Sequence, residues 1–294
     1  MSNQKNKDYF NDINRFNSAI DFMRFSLLGL SINDLLKGNE FIIKKSIMRG
    51  YRDAASRVLK KGKNTETEWK DKKQNAIKKI YDYIIILEDC DNTDKIEYKD
   101  ESDNFFKKLD FFFDKWHYSL YKELDSIYLG KNNEKGTFSF GIAQKWINMT
   151  IKYISIFYIS ILYDFDISGI KEIDTSKIYR LINYSDFFHI PIDGYILNAL
   201  KIKKDNFINP NDTILKESEI FRFPKGLDIQ IEVLNNSWSV NLDAEKYYNL
   251  QKDIRRYING NDFCSVKLQA NPLDWEFEAW ITEARKQRDK KIDI

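Results

Sequence analysis

No proline occurs in this 294-residue chain before Pro191, and all four prolines (Pro191, Pro210, Pro224, Pro272) fall in its last third. A proline inside a helix removes a hydrogen bond and clashes with the preceding turn. The first 190 residues can therefore run as long helices, and turns concentrate in the remainder. With only 11 glycines as well, collagen, low-complexity linkers and a turn-dense β-sandwich are excluded. The expectation is a mainly α-helical, multi-helix globular protein with a minor β or irregular segment in the C-terminal third. Residues 1–294 read as one globular unit, and the polar loop near 131–140 offers a division into two helical subdomains.

The hydrophobic fraction of 43% and the aromatic fraction of 15% supply enough apolar surface for a substantial core. A formal charge of +2 excludes a globally basic binder and leaves room for a local basic face. Two cysteines, Cys90 and Cys264, are too few for a four-thiolate cluster or a disulfide framework, which fits a reducing cytoplasm. The polar opening Met1-Ser2-Asn3-Gln4-Lys5 is not that of a signal peptide. The longest nearly uncharged run, Tyr153 to Tyr163, covers about 16 Å as a helix against ~30 Å of hydrocarbon, so no membrane span is expected.

Apolar spacing predicts helices over 8–36, 40–61 (ended at Gly62), 65–87, 102–129 (stopped by Gly130) and 141–163. A loop with a short helix follows over 164–187, then a helix from Ile192 to Lys203 opened by Pro191. Leu227 to Val233 alternates like a strand of a short hairpin. Helices over 243–258 and from Pro272 complete the chain.

The helix from Gly141 is apolar on nearly every side, which marks it as central. Yet it carries Gln144, Lys145, Asn148 and Lys152, the last three on one face. Lysines there either snorkel to solvent or line a groove; a partly desolvated lysine amine is also a nucleophile. Downstream, His189-Ile190-Pro191-Ile192-Asp193 places a carboxylate at a helix start, where the dipole favours its ionised form and where capping is its commonest role.

Gly141-Ile-Ala-Gln-Lys145-Trp-Ile-Asn148 together with Ile190-Pro191-Ile192-Asp193 resembles the Gly-x-Gly-x-Lys-x-x-Asn/Asp segment and the following Pro-Val-Asp segment of helix-hairpin-helix DNA glycosylases. The similarity spans about 25 residues and is nearest to the archaeal 8-oxoguanine branch of that superfamily, which also contains the endonuclease III branch. The resemblance implies a Lys145 nucleophile, an assisting Asp193, and excision of a damaged or modified base, flipped out of duplex DNA, through a Schiff base without a cofactor. On this reading Gln144, Asn148 and Lys152 line the same groove, His189 contacts the backbone or the abasic sugar, and Gly141 and Ala143 approach the DNA backbone. The chain departs from the family pattern in three ways. Ala143 replaces the second hairpin glycine, 48 residues separate Lys145 from Asp193, and the cysteines of an iron–sulfur cluster are absent.

Between Lys44 and Lys63 a basic run faces the single acid Asp53, and Arg49, Arg52 and Lys60 fall near one helical face suited to phosphates or to plain solvation. In Pro272-Leu-Asp274-Trp275-Glu276-Phe277-Glu278-Ala-Trp280 the aromatics either stack on a base or pack the last helix, the commoner role of tryptophan. His117 beside Trp116 reads as core. Two histidines without Glu-x-x-His spacing argue for no metal. Two rival readings stand beside the glycosylase: a non-catalytic helical module binding nucleic acid or protein, and a nuclease or nucleotide-processing enzyme using carboxylates such as Asp164 and Asp166.

Overall fold

The computed structural model describes residues 29–56, 59, 64–86, 109–110, 112–128, 138–162, 176–196, 199, 244–259 and 271–292, with residues 18, 22, 25 and 26. Among these the protein is mainly α-helical, and no strand occurs. The hairpin expected near 227–233, Cys90, Cys264, Asp164, Asp166 and Lys60 lie outside the described residues. The helices are α1 (Ile32–Leu35), α2 (Asn39–Ala54), α3 (Glu66–Ile86), α4 (Ser119–Tyr128), α5 (Phe140–Leu162), α6 (Ser176–Asn183), α7 (Ala244–Asn259) and α8 (Pro272–Ile292). A π-helical segment, Phe113–Tyr118, leads into α4, and a 3-10 turn, Ser185–Phe187, follows α6.

Helix α5 is the axis of the fold, as its all-round apolarity predicted. Ser139 starts it by accepting the Ile142 N–H at 3.3 Å. From Phe140 to Phe157 every residue is buried except the partly buried Lys145, Met149 and Ile156. At ~100° per residue the helix presents two opposed stripes. One is Trp146, Thr150 and Tyr153; the other is Gln144, Asn148 and Lys152.

Helix α2 crosses the first stripe with Ile43, Ile47, Gly50, Tyr51 and Ala54 on its buried face. The Trp146 indole N–H donates to the Ile47 carbonyl at 2.9 Å, and its ring meets Tyr51 edge-on at 5.0 Å. Gly50 is the contact point. A β-carbon there would stand 2.7 Å from Thr150 Oγ1 and 3.0 Å from both the Thr150 nitrogen and the Trp146 carbonyl oxygen. Absence of a side chain is what lets the two backbones touch. At the far end of the crossing Tyr153 hydrogen-bonds Asp53, and Asp53 pairs with Arg49 at 3.5 Å.

Helix α2 ends at Ala54 rather than near Gly62, because Ala55 and Ser56 both return their N–H groups to the Tyr51 carbonyl, at 2.8 and 2.9 Å. Helix α3 opens on a capping box. Thr65 Oγ1 accepts the Glu68 N–H at 3.2 Å, and the Glu68 carboxylate accepts the Thr65 N–H at 2.7 Å. It packs beside α4, with Lys79 bridging to Glu123 at 3.0 Å and the Trp116 indole donating to the Tyr83 carbonyl at 2.9 Å. The aromatic helix expected over 102–129 is therefore not uniform. Its π segment turns Phe113, Trp116 and His117 inward together. A single cluster of buried apolar side chains runs from Leu30 to Leu273.

Gly50→Ala drives a methyl into backbone atoms of α5 that cannot swing aside, so it should destabilise the fold by ~2 kcal/mol. Urea unfolding of the variant measures this. Adding Thr150→Ala, which removes the Oγ1 contact, should restore little, since the nitrogen and carbonyl contacts remain.

Candidate functional site

The second stripe of α5 is polar because it meets a partner that needs hydrogen bonds. That partner is the extended segment 188–193, whose prolyl residue and non-helical backbone leave its amides and carbonyls without a ladder. Side chains supply one. Gln251 of α7 accepts the Ile190 N–H at 3.1 Å and donates to the Ile190 carbonyl at 2.8 Å, taking the place of a neighbouring strand. Asn148 donates to the same carbonyl at 3.1 Å. The Arg255 guanidinium donates to the Phe188 carbonyl at 2.6 Å and to the Gln251 carbonyl at 3.3 Å.

Asn148 is the hub. Its amino group also lies 3.0 Å from Gln144 Oε1 and 2.7 Å from the Tyr247 hydroxyl. Tyr247 accepts there, and its hydroxyl also shares a hydrogen bond with His189 Nδ1 at 2.8 Å. His189 stacks face to face on His117, ring centroids 4.1 Å apart and planes 6° apart. The only two histidines of the chain are thus in contact in the core. His189 Nε2 and both nitrogens of His117 have no hydrogen-bond partner among the described residues. Burial, reinforced by the Arg255 charge, pushes His117 down to about 3. Burial, with His117 and Arg255 beside it, holds His189 well below its ordinary value. Both rings are neutral. Burial pulls Arg255 itself down to about 10, with the hydroxyls of Tyr247 and Tyr248 and the Asp186 carboxylate opposing it.

At its far end the segment delivers Asp193. One carboxylate oxygen, Oδ1, accepts the N–H groups of Tyr195 and Ile196 at 3.0 and 3.1 Å. Asp193 is thus the N-cap of a helix that starts at Gly194, and Pro191 stands outside it rather than in its first turn. The other oxygen, Oδ2, accepts the Trp280 indole N–H from α8 at 3.3 Å. Next to it lies a buried ion pair, Lys152 of α5 with Glu276 of α8, Nζ to Oε1 2.7 Å. The Lys152 ammonium also lies 5.1 Å from the Phe277 ring centroid and 5.8 Å from that of Trp280. Burial raises Glu276 above the usual carboxylate range, Lys152 draws it back, and the Asp193 charge adds to the rise.

Several expectations are corrected by this geometry. Gln144, Asn148 and His189 do not line a groove; they are sealed between α5, the 188–193 segment and α7, their polar atoms turned toward one another. Ala143 is fully buried and spends its N–H on the Ser139 carbonyl at 3.0 Å, and Gly141 is buried too, its carbonyl accepting from Gln144 at 3.0 Å. Neither presents an open backbone to a phosphate. Arg49 is drawn into the α2–α5 contact, over the Tyr153 ring at 5.6 Å, while Arg52 is exposed. Trp275 is partly buried against the core, and Lys145 is partly buried, two turns before Lys152 on the same face of α5. Sequence reasoning did not find Tyr247, Gln251 and Arg255. Their spacing of four along α7 was legible as one helical face, but nothing local announced that the face meets an extended segment.

Among the described residues no group of three or more His, Cys, Asp or Glu is placed to hold a metal ion, and no helix is long and apolar enough to cross a membrane. What the fold defines is an α-helical class with a buried polar joint at its centre. Compared with known proteins the chain finds no counterpart: no family model, no curated protein and no solved structure matches it.

The histidine pair gives the fold an acid limit. A free histidine gains its proton near 6.5, whereas folded His117 stays neutral to about 3. Stability is therefore full above that unfolded value and falls as pH drops through the window, by up to ~1.4 kcal/mol per pH unit for each histidine. His117→Phe should remove one proton from the pH slope of the unfolding free energy between pH 6 and 4. It should also raise stability at neutral pH by ~1 kcal/mol, because two unpartnered nitrogens leave the core. Urea midpoints across that pH range test both.

Proposed function

We propose that the chain is a DNA glycosylase with lyase activity. It would excise a damaged or modified base by way of a Schiff base formed by a lysine of α5, assisted by Asp193. In this reading Lys145 is the attacking amine, as the resemblance implies. Asp193 stabilises the cationic sugar from a fixed position on its helix. The observation that carries the reading is the hydrogen bond from Asn148 to the Ile190 carbonyl. It fastens the lysine-bearing helix to the Ile-Pro-Ile-Asp segment across 42 residues of sequence, one turn beyond Lys145 and three residues before Asp193. The chemistry needs these two segments side by side, because an amine and a carboxylate must act on one sugar carbon. A sequence pI of about 8.2 and the exposed Arg52, Arg285 and Arg288 suit a partner that is a polyanion.

A non-catalytic nucleic-acid- or protein-binding module is the second reading, and one observation favours it. Both oxygens of Asp193 already have structural partners, the cap N–H groups and Trp280.

Borohydride trapping on duplexes carrying an abasic site or a panel of altered bases separates the two. Lys145→Gln and Asp193→Asn serve as variants; asparagine keeps the cap through its one carbonyl oxygen and gives up the charge and the acceptor for the Trp280 N–H. The glycosylase reading expects a covalent adduct with the wild-type protein and base release reduced ~100-fold or more in Asp193→Asn, since a charge-stabilising group is worth that much. Duplex binding with neither adduct nor base release would establish the module instead.

A further inference from the structure

The Asp193 neighbourhood holds its own amine. Lys152 is the lysine whose ammonium stands 2.7 Å from a carboxylate, over the Trp280 ring that holds Asp193. Its partner Glu276 is 1% exposed, and Glu276 Oε2 has no hydrogen-bond partner among the described residues. A buried carboxylate with one oxygen unsatisfied is a poorly stabilised anion, and therefore a ready acceptor for a proton. Lys152 keeps 11% of its side chain in contact with solvent, so the pair is shielded without being sealed. The partly buried rings of Phe277 and Trp280 lie 5.1 and 5.8 Å from the ammonium, and a base or sugar can rest on such ring faces. Lys145 lies two helical turns away, about 10.5 Å along the axis of α5.

We infer that Lys152 is the Schiff-base lysine of this protein and that Glu276 is the group that takes and returns its proton. The inference rests on the glycosylase reading and names a different amine for it. The Lys152 ammonium gives one proton to Glu276. The freed nitrogen bonds to C1′ as the C1′–base bond breaks; the base leaves with that electron pair and takes the proton from Glu276. The new cationic nitrogen returns a proton to Glu276. Its lone pair then forms the imine as the C1′–O4′ bond breaks, and O4′ takes that proton. Glu276 ends as the carboxylate it began as. Asp193 faces the developing positive charge. At a pre-formed abasic aldehyde the same amine adds to C1′ and water leaves.

The test uses the full-length wild-type protein, trapped with borohydride on a duplex containing an abasic site, then digested and read by peptide mass spectrometry. The α5 peptide should carry the sugar remnant on Lys152. Glu276→Gln should slow trapping at least tenfold, and Glu276→Asp, which keeps a carboxylate on α8, should recover part of that rate; loss of packing alone would leave the aspartate variant no faster than the glutamine one. A remnant on Lys145 overturns the inference and leaves the glycosylase reading standing. No adduct on any lysine, with no base release, overturns both. Because the mapping needs no variant, poor folding of Glu276→Gln does not blunt it.

Discussion

The rest of the structure depends on what Asn148 does with one amide. A fully buried amide in the middle of an apolar helix is costly unless its hydrogens are used. Asn148 spreads two protons over three acceptors that belong to three parts of the chain: Gln144 on its own helix, the Ile190 carbonyl of the extended segment, and the Tyr247 hydroxyl of α7. No single apolar residue could fix all three, because dispersion has no direction. The hub therefore sets where the extended segment runs, and hence where Asp193 and its helix begin.

Helix α5 works as a two-faced element. Toward α2 it offers shape, with Gly50 letting backbone meet backbone and Trp146 locking the crossing with one indole bond. Toward the C-terminal elements it offers hydrogen bonds. The first face sets an interhelical distance and the second sets a register. Lys152 continues the second face toward α8, where the stripe ends in a buried charge paired by Glu276. The histidine stack belongs to the same joint. It is neutral because burial penalises the charged imidazole, and the Arg255 charge, two turns beyond Tyr247 on α7, adds to that.

Much of the helical framework was legible in the sequence, since it depends on local signals. The Thr65–Glu68 box, the Asn271 carbonyl and side chain at the start of α8, and the apolar density of 140–162 mark their helices without help from tertiary contacts. The end of α2 was misread because helical periodicity persists past Ala54 while the backbone turns to satisfy Tyr51. The π segment was invisible, since one extra residue per turn leaves composition unchanged. At the site, the sequence drew attention to α5 and to residues 189–193, and the structure joins them through Asn148 and the Ile190 carbonyl. What Gln144, Asn148 and His189 do was not. A polar residue on an apolar helix looks the same in sequence whether it faces a substrate or another part of the chain. Only the positions of Gln251, Tyr247 and Arg255 decide between them.

Native-state hydrogen exchange at the Ile190 amide tests the joint most directly, because that N–H is held by a side chain, Gln251, and not by secondary structure. The account predicts protection close to that of the α5 core amides, opening only when the fold as a whole opens. Exchange at Ile190 near the rate of an unstructured peptide, with α5 still protected, would contradict it. The extended segment would then be lying on α5 without being held there.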